Sequence, residues 1–319
     1  MPRRRNTSRR ARTGRLTRAA VLGAILLTGY LGGAMAYLMA IGSAVLYGAA
    51  DFIGGLATRR AGTIPVVILS QASGLILLAL ILPLLPDASP SRADLLWGAL
   101  AGLTGGIGVA LLYRALAIGV MAVVAPTTAV CAVAIPVVVS VLLGERPGPL
   151  AAAGMALGIG SIVLVSQQRP APESEPHRGA ARSSGVGIAL ASGVLIGFFF
   201  LTLAQTGSAA GMWPILVARL VSVALFATVA LSRGMSIRMP APMVVLALVC
   251  GILDMLANAL YLLAARQGPL SVVVTLSSLY PASTVLLARI VLGERLNLLQ
   301  GFGVACALAA VVLIVSGGS

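Results

Sequence analysis

Lysine is absent from this chain, and acidic residues are scarce. All 22 basic residues are arginine, set against 8 acids, and charged residues make up only 9% of the 319. A soluble domain is roughly one-quarter charged. With 59% hydrophobic residues and a mean hydropathy of +1.04, the chain has too little polar surface to face water, so lipid must solvate most of it. Histidine occurs once, as His177 in a polar stretch, which argues against His-based proton or metal chemistry. The three cysteines, Cys131, Cys250 and Cys306, sit in apolar runs without metal-ligand spacing and read as small packing residues. No nucleophile–histidine pair, phosphate loop or metal cluster is present. The sequence therefore predicts no cofactor, no metal and no catalytic residue.

The net charge of +14 would suit nucleic acid if it formed a groove, but it does not. Eight arginines (Arg3, Arg4, Arg5, Arg9, Arg10, Arg12, Arg15 and Arg18) crowd the first 18 residues, and most others stand singly or in pairs between apolar runs. That is membrane-flanking charge, and no nucleic-acid partner is expected.

A helix crossing a bilayer needs about 20 mostly apolar residues. Ten such runs are predicted, at about 38–58, 64–85, 95–116, 121–143, 149–167, 185–206, 211–232, 242–265, 270–292 and 298–316. The polar, Pro-rich stretch Gln167–Ser184 reads as a flexible loop between two halves. The halves share one register: Leu143-Gly144-Glu145-Arg146 returns as Leu292-Gly293-Glu294-Arg295, an offset of 149. Ser43, Gly48, Pro65, Gly102 and Gly154 return as Ser192, Gly197, Pro214, Gly251 and Gly303 at the same offset. Five helices per repeat is an odd number, so the second half must enter the membrane from the opposite side. The expected fold is an all-α membrane protein of two inverted five-helix repeats, residues 38–167 and 185–319, joined by 168–184.

Residues 1–37 lie outside the repeat. Their apolar part, 19–37, reads as an extra span, a signal-like segment, or upstream sequence translated from too early a start, since Met35 and Met39 would also serve. Arginine placement favours a cytoplasmic location for the loops that follow odd-numbered spans, yet the basic tail points the other way unless the extra helix exists. Orientation stays open at this level.

Ionisable residues inside a membrane cost about 2.5–3.5 kcal/mol each on insertion scales, so each is a functional suspect. Asp254 lies mid-span with Asn258 at i+4 and Tyr261 at i+7, one polar stripe on one helical face. A buried carboxyl satisfied by Arg219 is the competing reading. Asp51 follows Tyr47 by one turn, with Arg59 and Arg60 near enough for interfacial pairing instead. Arg219 sits mid-run in the seventh span and must be paired or meet a substrate anion. Thr127, Thr128, Ser277, Ser278 and Tyr280 offer hydroxyls to a shared cavity, although Thr and Ser commonly bond back to their own helix. Glu145 and Glu294 read as interfacial partners of Arg146 and Arg295. Pro126, Pro136 and Pro281 are placed inside spans, where each would kink its helix.

Several of these motifs, in this order, resemble the EamA repeat of the drug/metabolite transporter superfamily. They are the two LGER helix ends, Tyr47-Gly48 followed by Asp51, Tyr113-Arg114-Ala115-Leu116 closing the third span, Pro214 before Arg219, and Tyr280-Pro281 ahead of Glu294. The resemblance covers about residues 40–316. Two departures are Ala132, which stands where a counterpart of Pro281 belongs, and Ser70, where an arginine is expected. The resemblance implies a multi-pass carrier of the inner membrane, exporting a small metabolite, amino-acid-like compound or drug from a site between the halves. Protons are a candidate coupling ion. A membrane-embedded enzyme or a flippase for lipid-linked substrates is the alternative.

Overall fold

A computed structural model of the chain describes residues 35–142, 148–166, 176–267, 273, 276–277 and 279–317. The residue-19 segment, the first LGER with Glu145 and Arg146, and Ser278 lie outside the described residues. The described helices are α1 (Met35–Ala61), α2 (Thr63–Ile81), α3 (Arg92–Ile118), α4 (Met121–Leu142), α5 (Pro149–Ser166), α6 (Pro176–Ala204), α7 (Trp213–Ser232), α8 (Ala241–Gln267), α9 (Tyr280–Val291) and α10 (Leu298–Gly317). No strand occurs among the described residues.

Among the described residues, six helices are long and apolar enough to cross a membrane: α1, α2 with its extension to Leu84, α3, the Gly185–Ala204 part of α6, α7 and the Ala241–Ala264 part of α8. Four more are apolar but shorter, over Met121–Pro136, Ala152–Ser161, Tyr280–Val291 and Gly301–Leu313. Two expectations are corrected here. Helix α6 already begins at Pro176, so the tail of the expected flexible loop is helical; a proline suits the first helical position because its missing N–H would have no partner there. Pro281 occupies the first turn of α9, not a helix interior, so it starts a helix where a kink was expected. Pro126 and Pro136 do lie inside α4.

Helix directions follow from contacts at known positions. Gly54 lies against the Tyr113 ring and Gly55 against Leu116, and further along Arg59 Nη2 donates to the Leu116 carbonyl at 3.3 Å, so α1 and α3 run the same way. Gly119 faces Gly185, Gly108 faces Ile196 and Gly105 faces Phe199, so α3 and α6 run oppositely. Helix α6 is the counterpart of α1 in the sequence register, and it runs the other way.

The halves interleave. Helix α2 packs on α7 and α8, α3 on α6 and α7, α4 on α6, α9 and α10, and α5 on α10. Hydrocarbon gives no hydrophobic force between helices, so close packing and hydrogen bonds must hold them. Both occur in symmetric pairs. Ser43 Oγ donates to the Ala257 carbonyl (2.9 Å), and its counterpart Ser192 Oγ donates to the Gly108 carbonyl (2.8 Å). Thr128 Oγ1 donates to the Ala189 carbonyl (3.2 Å), and Ser277 Oγ to the Ala40 carbonyl (3.4 Å). All eight positions obey the offset of 149, donor to donor and acceptor to acceptor. Glycine contacts repeat it: Gly48 abuts Thr284 and its counterpart Gly197 abuts Ile135, again 149 apart.

The tightest approach is Gly251 in α8 against the Ser70 carbonyl and Ser73 Oγ in α2, where no Cβ can fit without moving backbone. Ser73 Oγ also donates across this seam to the Leu248 carbonyl at 3.1 Å. Gly251→Ala is expected to destabilise the protein by about 1–3 kcal/mol, as overpacking does. Gly160→Ala, at a site with open space, should be neutral. Thermal unfolding of both variants in detergent checks this, and equal midpoints would mean that the α2–α8 seam is loose.

Candidate functional site

The expected polar residues converge where α1, α2, α7, α8 and α9 meet. Arg219 is only 9% exposed, and an unpaired guanidinium at that burial would be strongly unfavourable. It is matched on two sides. Nη2 donates to Asp254 Oδ2 in a close ion pair, and Nη1 donates to Gln71 Oε1 on α2 at 2.5 Å. Gly74 makes the space: a Cβ there would sit 3.1 Å from Nη1. Asn258 donates from Nδ2 to the Asp254 carbonyl at 2.8 Å and reaches Asp254 Oδ2 at 3.5 Å, so it steers the carboxylate from one turn away. The Asp254 side chain keeps 26% exposure and is the open end of the pair.

Beside this pair lies an aromatic wall. The Tyr47 and Tyr280 rings meet edge-on, with centroids 6.3 Å apart and planes at 63°. Tyr113 and Cys250 share a hydrogen bond of 3.1 Å between Oη and Sγ, and Cys250 Sγ donates to the Ala50 carbonyl at 3.2 Å. Asp51 comes within electrostatic reach of Asp254, Tyr47, Tyr113 and Tyr280, and Tyr261 within reach of Tyr47. Asp51 has no hydrogen-bond or ion-pair partner among the described residues, and the interfacial pairing with Arg59 or Arg60 does not form. Arg219 forms the ion pair with Asp254 that the sequence offered as one of two readings.

Three expected cavity hydroxyls are engaged elsewhere. Thr127 Oγ1 donates to the Val123 carbonyl of its own helix (2.8 Å), and Thr128 and Ser277 are fully committed to the seams between halves. Gln71 and Gly74 escaped sequence reading. Gln71 is the one amide-bearing side chain of α2, a polar residue in an apolar run, and that was the available signal. Cys250 is more than packing, since it links Tyr113 to the α1 backbone.

Glu294 needs a separate correction. Its partner is not the neighbouring Arg295. Oε1 accepts from the Met121 N–H (3.1 Å), Oε2 from the Ala122 N–H (3.0 Å), and Arg59 Nη2 lies 3.6 Å from Oε1. A carboxylate at a helix N-terminus meets free N–H groups and the positive end of the dipole. Glu294 therefore clasps α4 to α1 from the end of α9. At the opposite end of α3, Asp94 completes a capping box with Ser91 and accepts the Gly207 N–H at 2.7 Å, tying the α6–α7 connection to α3.

Profile comparison settles the family. The profile of the EamA-like transporter family matches residues 34–167 and again 183–316. The chain belongs to the EamA-like transporter family. It is thus a membrane transporter by family, built from two EamA repeats in the drug/metabolite transporter superfamily. A solved structure titled only "Crystal structure of protein" superposes with a TM-score of 0.57 at 16% identity, over 88% of this chain and 96% of that one. At that identity the likeness speaks for the fold alone. No curated protein matches the chain.

Removing one member of the buried pair strands the other. Arg219→Met should destabilise by about 3–5 kcal/mol, and the double variant Arg219→Met/Asp254→Leu should regain most of the loss. Denaturant titration of detergent-solubilised protein measures both, and a double variant no better than the single would mean the pair is not a unit. For the clasp, Glu294→Ala should expose the first turn of α4. A cysteine at Ala122, which is 1% exposed, should then react several-fold faster with a water-soluble maleimide than in the Glu294 parent.

Proposed function

We propose that this chain is an alternating-access exporter of a small metabolite, amino-acid-like compound or drug, spanning the inner membrane ten times as two inverted repeats. The observation that carries the reading is the placement of Arg219, Asp254 and Gln71. They come from three helices of both halves and meet in a buried cluster at the seam. A site built across that seam is reshaped whenever the halves move relative to each other. The symmetric hydrogen bonds support such motion, because exchanging the halves exchanges equivalent bonds.

Side chains from both halves would form the contact set. Asp254 is the partly exposed carboxylate that meets the solute, with Asn258 and Tyr261 along the same stripe. Arg219 holds Asp254 in place and is the group that a substrate carboxylate would compete for. Asp51 and Tyr47 approach from α1, and Tyr280 from α9. Protons are the proposed coupling ion, since the site carries carboxylates within the membrane, where such groups mark ion and proton pathways.

Cells overexpressing the chain should gain resistance to one or more toxic amino-acid analogues or drugs, with faster efflux of the labelled compound. Asp254→Asn should remove that gain, by at least tenfold in efflux rate per molecule of transporter in the membrane, the rate being normalised to abundance because the variant leaves Arg219 without its carboxylate. Efflux by Asp254→Asn at the parental rate would remove Asp254 from the mechanism, and persistence under a proton uncoupler would remove proton coupling.

A further inference from the structure

The connection between α9 and α10 leaves a groove of about 1010 Å³ at the two helix ends. Its shape starts from the sequence. Gly293 takes a left-handed backbone at φ 64°, which favours glycine, and turns the chain as α9 stops. The Glu294 N–H closes that turn on the Ala288 carbonyl at 3.3 Å. Glu294 also lines the groove, but its carboxylate is committed to the α4 N-terminus and Arg59, so its charge is already answered. Arg289, in the last turn of α9, and Arg295, just past it, line the same groove and are exposed. Neither makes a hydrogen bond or ion pair among the described residues. The dipole of α9 favours a cation at Arg289 but supplies only about half an elementary charge.

The remaining walls say what kind of anion would be held. On α10, Leu298 and Phe302 stand one turn apart, 95% and 63% exposed, and both line the groove. Within one turn of Arg289, α9 exposes Leu286 and Ile290 as well. In a membrane transporter such side chains meet acyl chains, and arginines at the helix ends meet headgroups. The guanidinium fork matches the oxygens of a phosphate. A soluble anion would engage the arginines and leave the apolar walls uncovered. A zwitterionic lipid would bring its own cation up to two unanswered ones. An anionic lipid complements both the charge and the walls. The duplication does not demand this arrangement, since the counterparts of Arg289 and Phe302 in the first half are Ser140 and Ala153.

We propose that the α9–α10 groove is a binding site for an anionic phospholipid. Arg289 and Arg295 take its phosphate, and its acyl chains lie against Leu298 and Phe302. The site shares no residue with the Arg219–Asp254 cluster and is independent of the solute the chain carries.

The test is native mass spectrometry of the full chain in detergent, titrated with dioleoylphosphatidylglycerol or dioleoylphosphatidylcholine. The two lipids share their acyl chains and differ in net charge. The anionic lipid should bind about tenfold more tightly at its first site, as two arginines beside one lipid charge allow. Arg289→Gln/Arg295→Gln should erase that preference. Arg233→Gln/Arg238→Gln, which removes the same charge from exposed positions after α7, should keep it. Size-exclusion profiles establish that the variants are folded, and the wild-type preference between the lipids stands without them. Equal affinity for the two lipids, an unchanged preference in folded Arg289→Gln/Arg295→Gln, or an equal loss in the Arg233→Gln/Arg238→Gln variant would each overturn the proposal. Glycerol phosphate, a phosphate ester without acyl chains, is the third probe and should not compete. Displacement of the lipid by glycerol phosphate at a similar concentration would make the groove a soluble-anion site and overturn the lipid assignment.

Discussion

Two helices in hydrocarbon gain nothing by hiding apolar surface from each other, because the lipid is as apolar as they are. Everything that holds this chain together answers to that constraint. Glycines let backbones touch, as at Gly251 against Ser70 and Gly48 against Thr284, and small hydroxyls reach carbonyls on the facing helix. Helices of each half pack extensively on those of the other, so neither half is a self-contained lobe. A fold joined by a few directional bonds and bare van der Waals contact is one in which seams can slide without exposing a hydrophobic core to water.

Within such a scaffold a charge is admitted only with its partner. Arg219 is held by three helices at once: by its own in α7, by Gln71 of α2 and by Asp254 of α8. With Gln71 the pair spans the two halves, and the carboxylate end remains partly open. The same low dielectric that makes the pair necessary makes any change in its surroundings felt strongly. Stability and responsiveness therefore come from one interaction, and Asn258 and Gly74 refine it by steering one partner and making room for the other.

The sequence made the helices, the repeat and the charged cluster legible, because runs of apolar residues and a fixed register of 149 need no knowledge of packing. What faces what was less accessible. The offset shows that Thr128 and Ser277 are equivalent, but equivalence says nothing about whether they face a cavity or a carbonyl, and they face carbonyls. Glu294 stands next to Arg295 in the chain, and its true partners are residues brought in from the other half by the inverted packing. Gln71 was hidden because an amide carries no charge to flag it. The start of α6 at Pro176 is not legible in the sequence because a polar, Pro-rich composition reads as loop, although a backbone helix can extend beyond the lipid.

The Glu294 clasp departs from the symmetry found elsewhere. Arg59, one of its members, has Ser208 as its counterpart in the other half, and a serine cannot supply the ion pair. The clasp thus joins the start of α4 to α1 with an ion pair that the serine at the matching position cannot reproduce. A duplicated chain need not stay symmetric to stay folded: one exchanged side chain is enough to give a seam a bond that the duplication does not repeat.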